Sequence, residues 1–319
     1  MVIPMTVSEN EVGIKGRFAK LGRNIFKNKE CYFLIAPGVI WYAIFAYIPL
    51  FGLTLAFKTY KAKLGIFGSP WVGLENYVYV FRDQAFMQSI FRSLQLNAGR
   101  LLFAFPFPVF LALIINEVRL GSSKKILQSV FTFPHFLSWI IVASIMTNVL
   151  GMTGLLNSLI GMFGAEPVSF LGSTSFFQPM IYLTENWKSA GWSAIIYMAA
   201  IAGIDTEQYE AAVIDGATRL HRIWYITLPG IKGTATVLFI LAVGNIMTAG
   251  FDQVFNLSNP ATIKVAETLD MYIYRVTFQS AADFSFSTAV SLFKSVVNFI
   301  LLFSADRIAK ILGGSGLIS

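Results

Sequence analysis

The chain has 319 residues, of which 55% are hydrophobic and 13% are charged, and its formal net charge is +7. The charged share is about half that of an ordinary soluble domain, which indicates a membrane protein. One cysteine and two histidines are too few for a thiolate or imidazole cluster that holds zinc or haem. The basic residues flank long apolar runs, so membrane lipid is the expected neighbour and nucleic acid is not an expected partner.

Six apolar runs of about 20 residues predict transmembrane helices, because a hydrocarbon core of about 30 Å requires that length. They cover residues 31–57, 94–116, 127–150, 180–201, 234–255 and 284–303. Lipid offers no partner to a free backbone amide, and the runs lack the alternation of a barrel strand. The predicted fold class is therefore an all-α integral membrane protein with six transmembrane helices.

The distribution of Lys and Arg predicts the orientation. With the N-terminus inside, fourteen of the 24 lie in inner segments, seven in outer loops and three within spans. The positive-inside rule then places both termini in the cytoplasm. We expect a basic cytoplasmic segment at 1–30, a transmembrane domain at 31–306 and a cytoplasmic tail at 307–319. Residues 13–29 suit a helix along the inner surface, although a disordered basic tail is the alternative.

The loop between spans four and five, residues 203–231, is predicted to be cytoplasmic and to form two helices. Asp205 followed by Gln208 is typical of a capping box at a helix start. Gly216 is a position where that helix can end without a Cβ penalty. Asp215 is expected to cap a second short helix, and Pro229 is expected to mark the entry to span five.

Nine residues of this loop resemble the EAA loop of ABC importer permeases. They are Glu210, Ala211, Ala212, Asp215, Gly216, Ala217, Ile226, Leu228 and Pro229. In that family the loop is the coupling helix that docks in a groove of a separate ATPase subunit. Small alanine side chains permit close approach, and a glycine permits a rigid bend. The resemblance implies a type I importer fold and predicts all of these residues except Ile226 as ATPase-coupling residues.

Four further segments, at 133–139, 250–257, 265–276 and 284–298, resemble the polysaccharide branch of the sugar permeases, to which alginate importers belong. The resemblance implies a permease subunit in the cytoplasmic (inner) membrane that imports oligosaccharide or polysaccharide. It also implies as partners a second permease subunit, two ATPase subunits that bind ATP and Mg, and an extracytoplasmic sugar-binding protein.

This chain is not expected to be the ATPase or any other enzyme. It contains no Gly-Lys dipeptide, so the phosphate-binding P-loop is absent. No nucleophile stands at a recognisable spacing from a base and an orienting partner. The sequence therefore predicts no catalytic residue, metal site or cofactor in this chain.

Polar residues within the spans are candidates for the translocation path, because a polar stripe is too costly to face lipid. The candidates are Glu185, Lys188, Asn245, Asp252, Lys294 and Asn298. In span five, helical spacing is expected to place Asn245, Thr248, Asp252 and Asn256 on one face. The alternative is that such residues are contacts between packed helices, or buried ion pairs of Asp252 or Glu185 with Lys188 or Lys294.

Lys294 is the only charged residue near the middle of a span, and we expect it to face the path opposite Asp252. Three basic residues against two acidic ones within the spans favour an anionic polymer such as a uronate chain. The alternative function is a proton-coupled secondary transporter that uses Asp252 or Glu185. Nothing in proton coupling requires an EAA-like loop.

Overall fold

The computed structural model describes residues 26–118, 121–248, 250–279, 283–314 and 316–317. Most of the predicted N-terminal segment, including the proposed surface helix up to residue 25, lies outside them. The α-helices of the described residues are α1 Lys29–Tyr42, α2 Gly65–Gly68, α3 Glu75–Arg82, α4 Gln84–Phe103, α5 Pro106–Glu117, α6 Gly121–Thr132, α7 Trp139–Leu150, α8 Leu155–Met162, α9 Thr174–Ala202, α10 Thr206–Ile214, α11 Arg219–Arg222, α12 Leu228–Gly244, α13 Phe251–Leu257, α14 Ile263–Ala266, α15 Leu269–Tyr274 and α16 Phe284–Ile311.

Shorter elements connect several of these helices. The 3₁₀ segments are Ile48–Phe57 and Phe133–Phe136, and the π-helical turns are Ala43–Tyr47, Ile223–Thr227 and Arg275–Gln279. The described residues contain no strand, and their one β-contact is an isolated bridge between Lys58 and Trp71. The all-α fold is thus confirmed.

Five helical segments are long and apolar enough to cross a membrane. They are Lys29–Phe57, Gln84–Glu117, Trp139–Met162, Arg219–Gly244 and Phe284–Ile311. The predicted span four corresponds to α9, which has 29 residues but carries Glu185 and Lys188. Because α9 packs against α5, α6 and α12, it is largely shielded from lipid and need not be apolar all round. Six crossings and two cytoplasmic termini remain predictions.

The prediction of one continuous helix over 127–150 is wrong. Helix α6 ends at Thr132, the 3₁₀ segment Phe133–Phe136 follows, and α7 begins after Ser138. The hydroxyl of Ser138 accepts the Ile141 backbone N–H at 3.4 Å. Pro134 explains the break, because its ring clashes with the preceding helical turn and it has no N–H to donate.

Span five also differs from the prediction at both ends. Its helical segment begins at Arg219, passes through the π turn Ile223–Thr227 ahead of Pro229, and ends at Gly244 instead of near 255. The next helix begins at Phe251, after Gly250 in the left-handed conformation (φ 67°). The expected single polar face of Asn245, Thr248, Asp252 and Asn256 is therefore wrong, since the first two lie in a non-helical segment and the last two lie in α13. We call residues 245–248 with Gly250 the helix break.

The helices are joined by close packing around α9. One buried cluster connects α9 with α5 and α12, and another connects α9 with α4, α13 and α15. At Gly191 the approach is so close that a Cβ atom would lie 2.0 Å from the Phe131 carbonyl oxygen of α6. Small residues at such crossings are typical of membrane helices, whose association depends on packing rather than on apolar burial.

Candidate coupling loop and translocation site

The loop 203–231 forms a helical hairpin. Helix α10 is capped by Asp205, whose Oδ1 accepts the Glu207 backbone N–H at 3.0 Å. After α10 the chain turns at Gly216 with φ 75°, a left-handed conformation that favours glycine. The predicted helix, bend and helix are therefore present.

The cap of the second helix differs from the prediction. Thr218 caps α11, and its hydroxyl accepts the His221 backbone N–H at 3.4 Å. Asp215 instead closes the C-terminal end of α10. The prediction for Asp215 is wrong because Gly216 and Ala217 still belong to the turn, so the second helix starts later.

The eight predicted coupling residues lie along one exposed hairpin. Five of them are exposed, namely Glu210, Ala211, Asp215, Gly216 and Pro229, and three are half-buried, namely Ala212, Ala217 and Leu228. Apolar side chains accompany them, since Val213 is 55% and Ile214 is 86% exposed. An apolar patch on an otherwise polar surface is typical of a site that another protein covers.

A hydrogen bond that the sequence reasoning missed fastens this hairpin to span five. The hydroxyls of Tyr209 and Thr227 lie 2.9 Å apart, and Thr227 is buried. Nearby, Ile204 packs so closely on Gly230 that a Cβ there would lie 2.5 Å from the isoleucine Cδ1. The signal in the sequence was Tyr209, which directly precedes the EAA residues, because a partly buried tyrosine usually finds a hydrogen-bond partner.

The base of the hairpin also carries opposite charges. Arg219 lies 4.0 Å from Glu117 at the end of α5, in a largely exposed ion pair. A polar cavity of about 540 Å³ lies beside it, lined by Glu117, Tyr209, Glu210, Arg219 and Arg222 among others. An exposed pair contributes at most about 1 kcal/mol, so it orients the hairpin weakly.

Among the six candidate path residues, Lys294 has a different partner from the one predicted. Its Nζ forms an ion pair with the carboxylate of Asp270 on α15, and both side chains are largely buried. Asp252 is exposed and lies in the first turn of α13. The expected pairing of Lys294 with Asp252 is therefore wrong, because the helix break redirects Asp252.

Glu185 and Lys188 lie one turn apart on α9 but do not pair. Lys188 is buried, donates to the His135 carbonyl oxygen at 2.7 Å and faces the Trp139 ring at 5.4 Å. His135 lies in the 3₁₀ segment that follows α6, so the interruption of the helix provides the lysine with its acceptor. Glu185 is half-buried, and the described residues offer it no ion pair.

Two asparagines satisfy the backbone groups of the helix break. Asn298 on α16 accepts the Met247 N–H at 3.1 Å and donates to the Thr248 hydroxyl at 3.3 Å. Asn97 on α4 donates to the Ile246 carbonyl oxygen at 2.7 Å. The predicted candidate Asn245 is exposed, and its side chain donates to the Leu241 carbonyl oxygen of α12 at 2.9 Å. Irregular backbone at membrane depth requires such partners.

Arg100 and Gln253, which the candidate list omits, connect the break to α9. Arg100 donates through Nη2 to the Gln253 side-chain oxygen and through Nη1 to Asn97 at 3.1 Å. Gln253, fully buried, donates in turn to the Ile181 carbonyl oxygen at 2.7 Å and to Thr184 at 2.9 Å. Residues 250–257 resemble the sugar permeases in sequence, but their spacing does not indicate that a new helix starts there.

Charged residues around α15 form a second network. Glu267 accepts from Arg275 at 2.5 Å and lies 3.7 Å from Arg92. The Tyr272 hydroxyl donates to Asp83 at 2.6 Å. Burial, reinforced by that carboxylate, raises the pKa of Tyr272 well above its usual range, so the hydroxyl stays protonated. This network ties α15 to α4 beside the Lys294 pair.

In the described part of the chain no three His, Cys, Asp or Glu residues are grouped to hold a metal ion.

Comparison with known proteins gives consistent results. The family model described as binding-protein-dependent transport system inner membrane component matches residues 104–313. The polygalacturonan/rhamnogalacturonan transport system permease protein YteP of Bacillus subtilis is 42% identical over 294 residues, which are 92% of this chain and 91% of that protein. The trehalose/maltose transport system permease protein MalF of Thermococcus litoralis is 26% identical, over 91% of this chain and 92% of that protein.

Solved structures agree with this assignment. A chain in the crystal structure of a bacterial ABC transporter involved in the import of the acidic polysaccharide alginate is 35% identical, with a TM-score of 0.83, over 91% of this chain and 98% of that one. A second structure, a bacterial alginate ABC transporter in complex with alginate pentasaccharide-bound periplasmic protein, gives 34% identity, a TM-score of 0.84 and coverage of 93% and 100%. The predicted resemblance is confirmed: the chain belongs to the family of binding-protein-dependent transport system inner membrane components and is a non-catalytic, multi-pass permease subunit of an ABC importer in the inner membrane.

Proposed function

We propose that this permease subunit imports an acidic oligosaccharide or polysaccharide, together with a second permease subunit, two ATPase subunits that bind ATP and Mg, and an extracytoplasmic sugar-binding protein. The substrate class is supported by the names of its relatives, which mention polygalacturonan and alginate. Within that assembly the hairpin 203–231 docks on an ATPase subunit, and the six predicted spans form half of the membrane channel.

The observation that carries the coupling role is the exposure of the hairpin. Its EAA residues lie next to exposed apolar side chains, such as Ile214, which is 86% exposed. The chain then bends at Gly216, which has a left-handed backbone conformation. The bend and the hydrogen bond between Tyr209 and Thr227 fix the hairpin relative to span five. A movement imposed on the hairpin by an ATPase is therefore passed to α12, the helix that ends at the break.

The translocation path is proposed to run along the helix break. Asn245, Thr248, Gly250 and Asp252 are exposed there, directly after the membrane-crossing segment that ends at Gly244. A polar surface of this kind is costly against lipid and suits a hydrated path between two permease subunits. Lys188 and Lys294 are then positioned near the path but satisfied by Trp139, His135 and Asp270.

The test is reconstitution of the complete importer in liposomes with labelled oligogalacturonate. Uptake is expected only with ATP, the binding protein and an intact ATPase; a matched complex with an inactivated ATPase is the control. Family membership leaves the secondary-transporter alternative without support. Uptake driven by a pH gradient in the absence of ATPase subunits would restore it and contradict the proposal.

A further inference from the structure

The six predicted spans contain three cations, and the structure distinguishes them by their partners. Lys294 is neutralised by Asp270. Lys188 is held by a backbone carbonyl and an aromatic ring. Arg100 is bonded to two neutral amides, and no carboxylate of the described residues lies within ion-pair distance of it. The two amides therefore solvate the Arg100 charge, but no adjacent carboxylate neutralises it.

The position of the guanidinium is fixed by the helix break. A Cβ on Gly250 would lie 3.2 Å and 3.3 Å from the two terminal nitrogens, so the guanidinium lies directly against that glycine. Gly250 and Thr248 are exposed, whereas the Arg100 Nε is buried and finds no hydrogen-bond partner among the described residues. Asn97 and Gln253 are themselves tied to the backbone of the break and of α9. The break thus holds a cation just beneath an exposed polar surface.

The Arg100 guanidinium is not directly paired with an acid. Glu185 of α9 is close enough to act on it electrostatically, and Lys188 lies one turn from Glu185. Asp252 is exposed two residues after Gly250, so two carboxylates match these two cations in number, but neither lies at ion-pair distance from Arg100. Water-poor surroundings screen such a charge weakly, so its field extends to the neighbouring surface. An uncompensated charge within a membrane is costly, and such residues are usually functional.

We propose that Arg100 is a specificity-determining residue of this permease, and that its uncompensated charge beside Gly250 favours sugars that carry carboxylates. The inference rests on the proposed sugar transport and adds the residue that distinguishes acidic from neutral sugars. Arg100 attracts the carboxylate of a uronate as the chain passes the break, while a neutral sugar of the same shape gains nothing from that charge.

The experiment compares two substrates in the reconstituted importer: trigalacturonate and its carboxyl-reduced, neutral counterpart. Each is presented on a saturated binding protein, so that protein's own preference cancels in the ratio of variant to wild type. Arg100→Gln is expected to lower the ratio of acidic to neutral uptake about tenfold, and Arg100→Lys to change it by less than about threefold. Arg92→Gln, which removes a charge two turns away on α4, is the matched control and leaves the ratio unchanged.

The reciprocal change covers the case in which Arg100→Gln does not assemble. Glu185→Gln removes the carboxylate that acts on Arg100, which makes the local charge more positive by one unit, and is expected to increase the ratio. An equal loss of both substrates in Arg100→Gln, or an unchanged ratio in Glu185→Gln, overturns the inference while wild-type uptake still supports the proposed function. Wild-type importer that carries neither sugar with ATP overturns the proposed function, and this inference with it.

Discussion

Lys294 of α16 and Asp270 of α15 form an ion pair that joins the last long helix to the short helices outside span five. The lysine side chain is 17% exposed and the aspartate 13%, so neither charge is well solvated. Beside the pair, Tyr272 and Asp83 connect α15 to the start of α4. The pair therefore fastens α15 between two long helices, and we expect its role to be structural.

Breaking this pair is expected to destabilise the importer. Lys294→Met leaves Asp270 as an uncompensated carboxylate and should cost about 2–4 kcal/mol, seen as a lower thermal midpoint of the detergent-purified complex. The double variant Lys294→Met with Asp270→Asn should recover most of that loss. The exposed Lys264→Met in α14 is the control. Normal stability with reduced uptake in the single variant would instead place Lys294 in the path.

Gly216 is expected to control coupling. Its φ of 75° strains a β-branched residue, by about 1–3 kcal/mol, whereas asparagine tolerates this conformation. Gly216→Val should abolish the stimulation of ATP hydrolysis by sugar-loaded binding protein, with the membrane helices still inserted, and Gly216→Asn should retain most of it. Full stimulation in an assembled Gly216→Val complex would show that the bend is not needed for docking.

Tyr209 is expected to transmit the movement of the hairpin. Tyr209→Phe removes only the hydroxyl that bonds Thr227, a loss of about 0.5–1.5 kcal/mol, so transport per ATP hydrolysed should fall about two- to tenfold. Assembly should be unaffected. Tyr225→Phe, on an exposed ring of the same segment, is the matched control. If both variants transport equally well per ATP, the hydrogen bond has no part in coupling.

The sequence was sufficient for the parts of the fold that depend on local pattern. Long apolar runs located span one and span six, and the cap at Asp205 and the bend at Gly216 followed from residue type. These features are set by side chains within a few residues of each other. The roles of the eight hairpin residues remain predictions, because the docking partner lies outside this chain.

The missed features depend on contacts between distant segments. The apolar run through 234–255 gave no sign that α12 ends at Gly244, because the broken backbone is satisfied by Asn97 and Asn298 from other helices. Residue spacing also gave no sign that Gln253 holds Arg100 at that break. Likewise, the partner of Lys294 is Asp270 of α15, a short helix outside the six predicted spans.

Gly191 provides a test of the packing between α9 and α6. A methyl group there would lie 2.0 Å from the Phe131 carbonyl oxygen, and this neighbour is backbone, so it cannot rotate away. Gly191→Ala is therefore expected to push the two helices apart, at a cost of about 1–3 kcal/mol or more, and to lower the thermal midpoint of the complex.

Two other glycines serve as controls for this change. At Gly99 the atom in the way is the Tyr182 hydroxyl, also 2.0 Å from the added Cβ, but a side chain can move, so Gly99→Ala should cost less than Gly191→Ala. At Gly161 in α8 nothing lies within 4 Å, so alanine should be neutral or slightly stabilising through its higher helix propensity. Thermal midpoints should thus fall in the order Gly161→Ala, Gly99→Ala, Gly191→Ala. A Gly191→Ala complex as stable as the Gly161→Ala complex would mean that α9 and α6 do not approach at backbone distance, and the carbonyl contact of Lys188 with His135 would lose its basis as well.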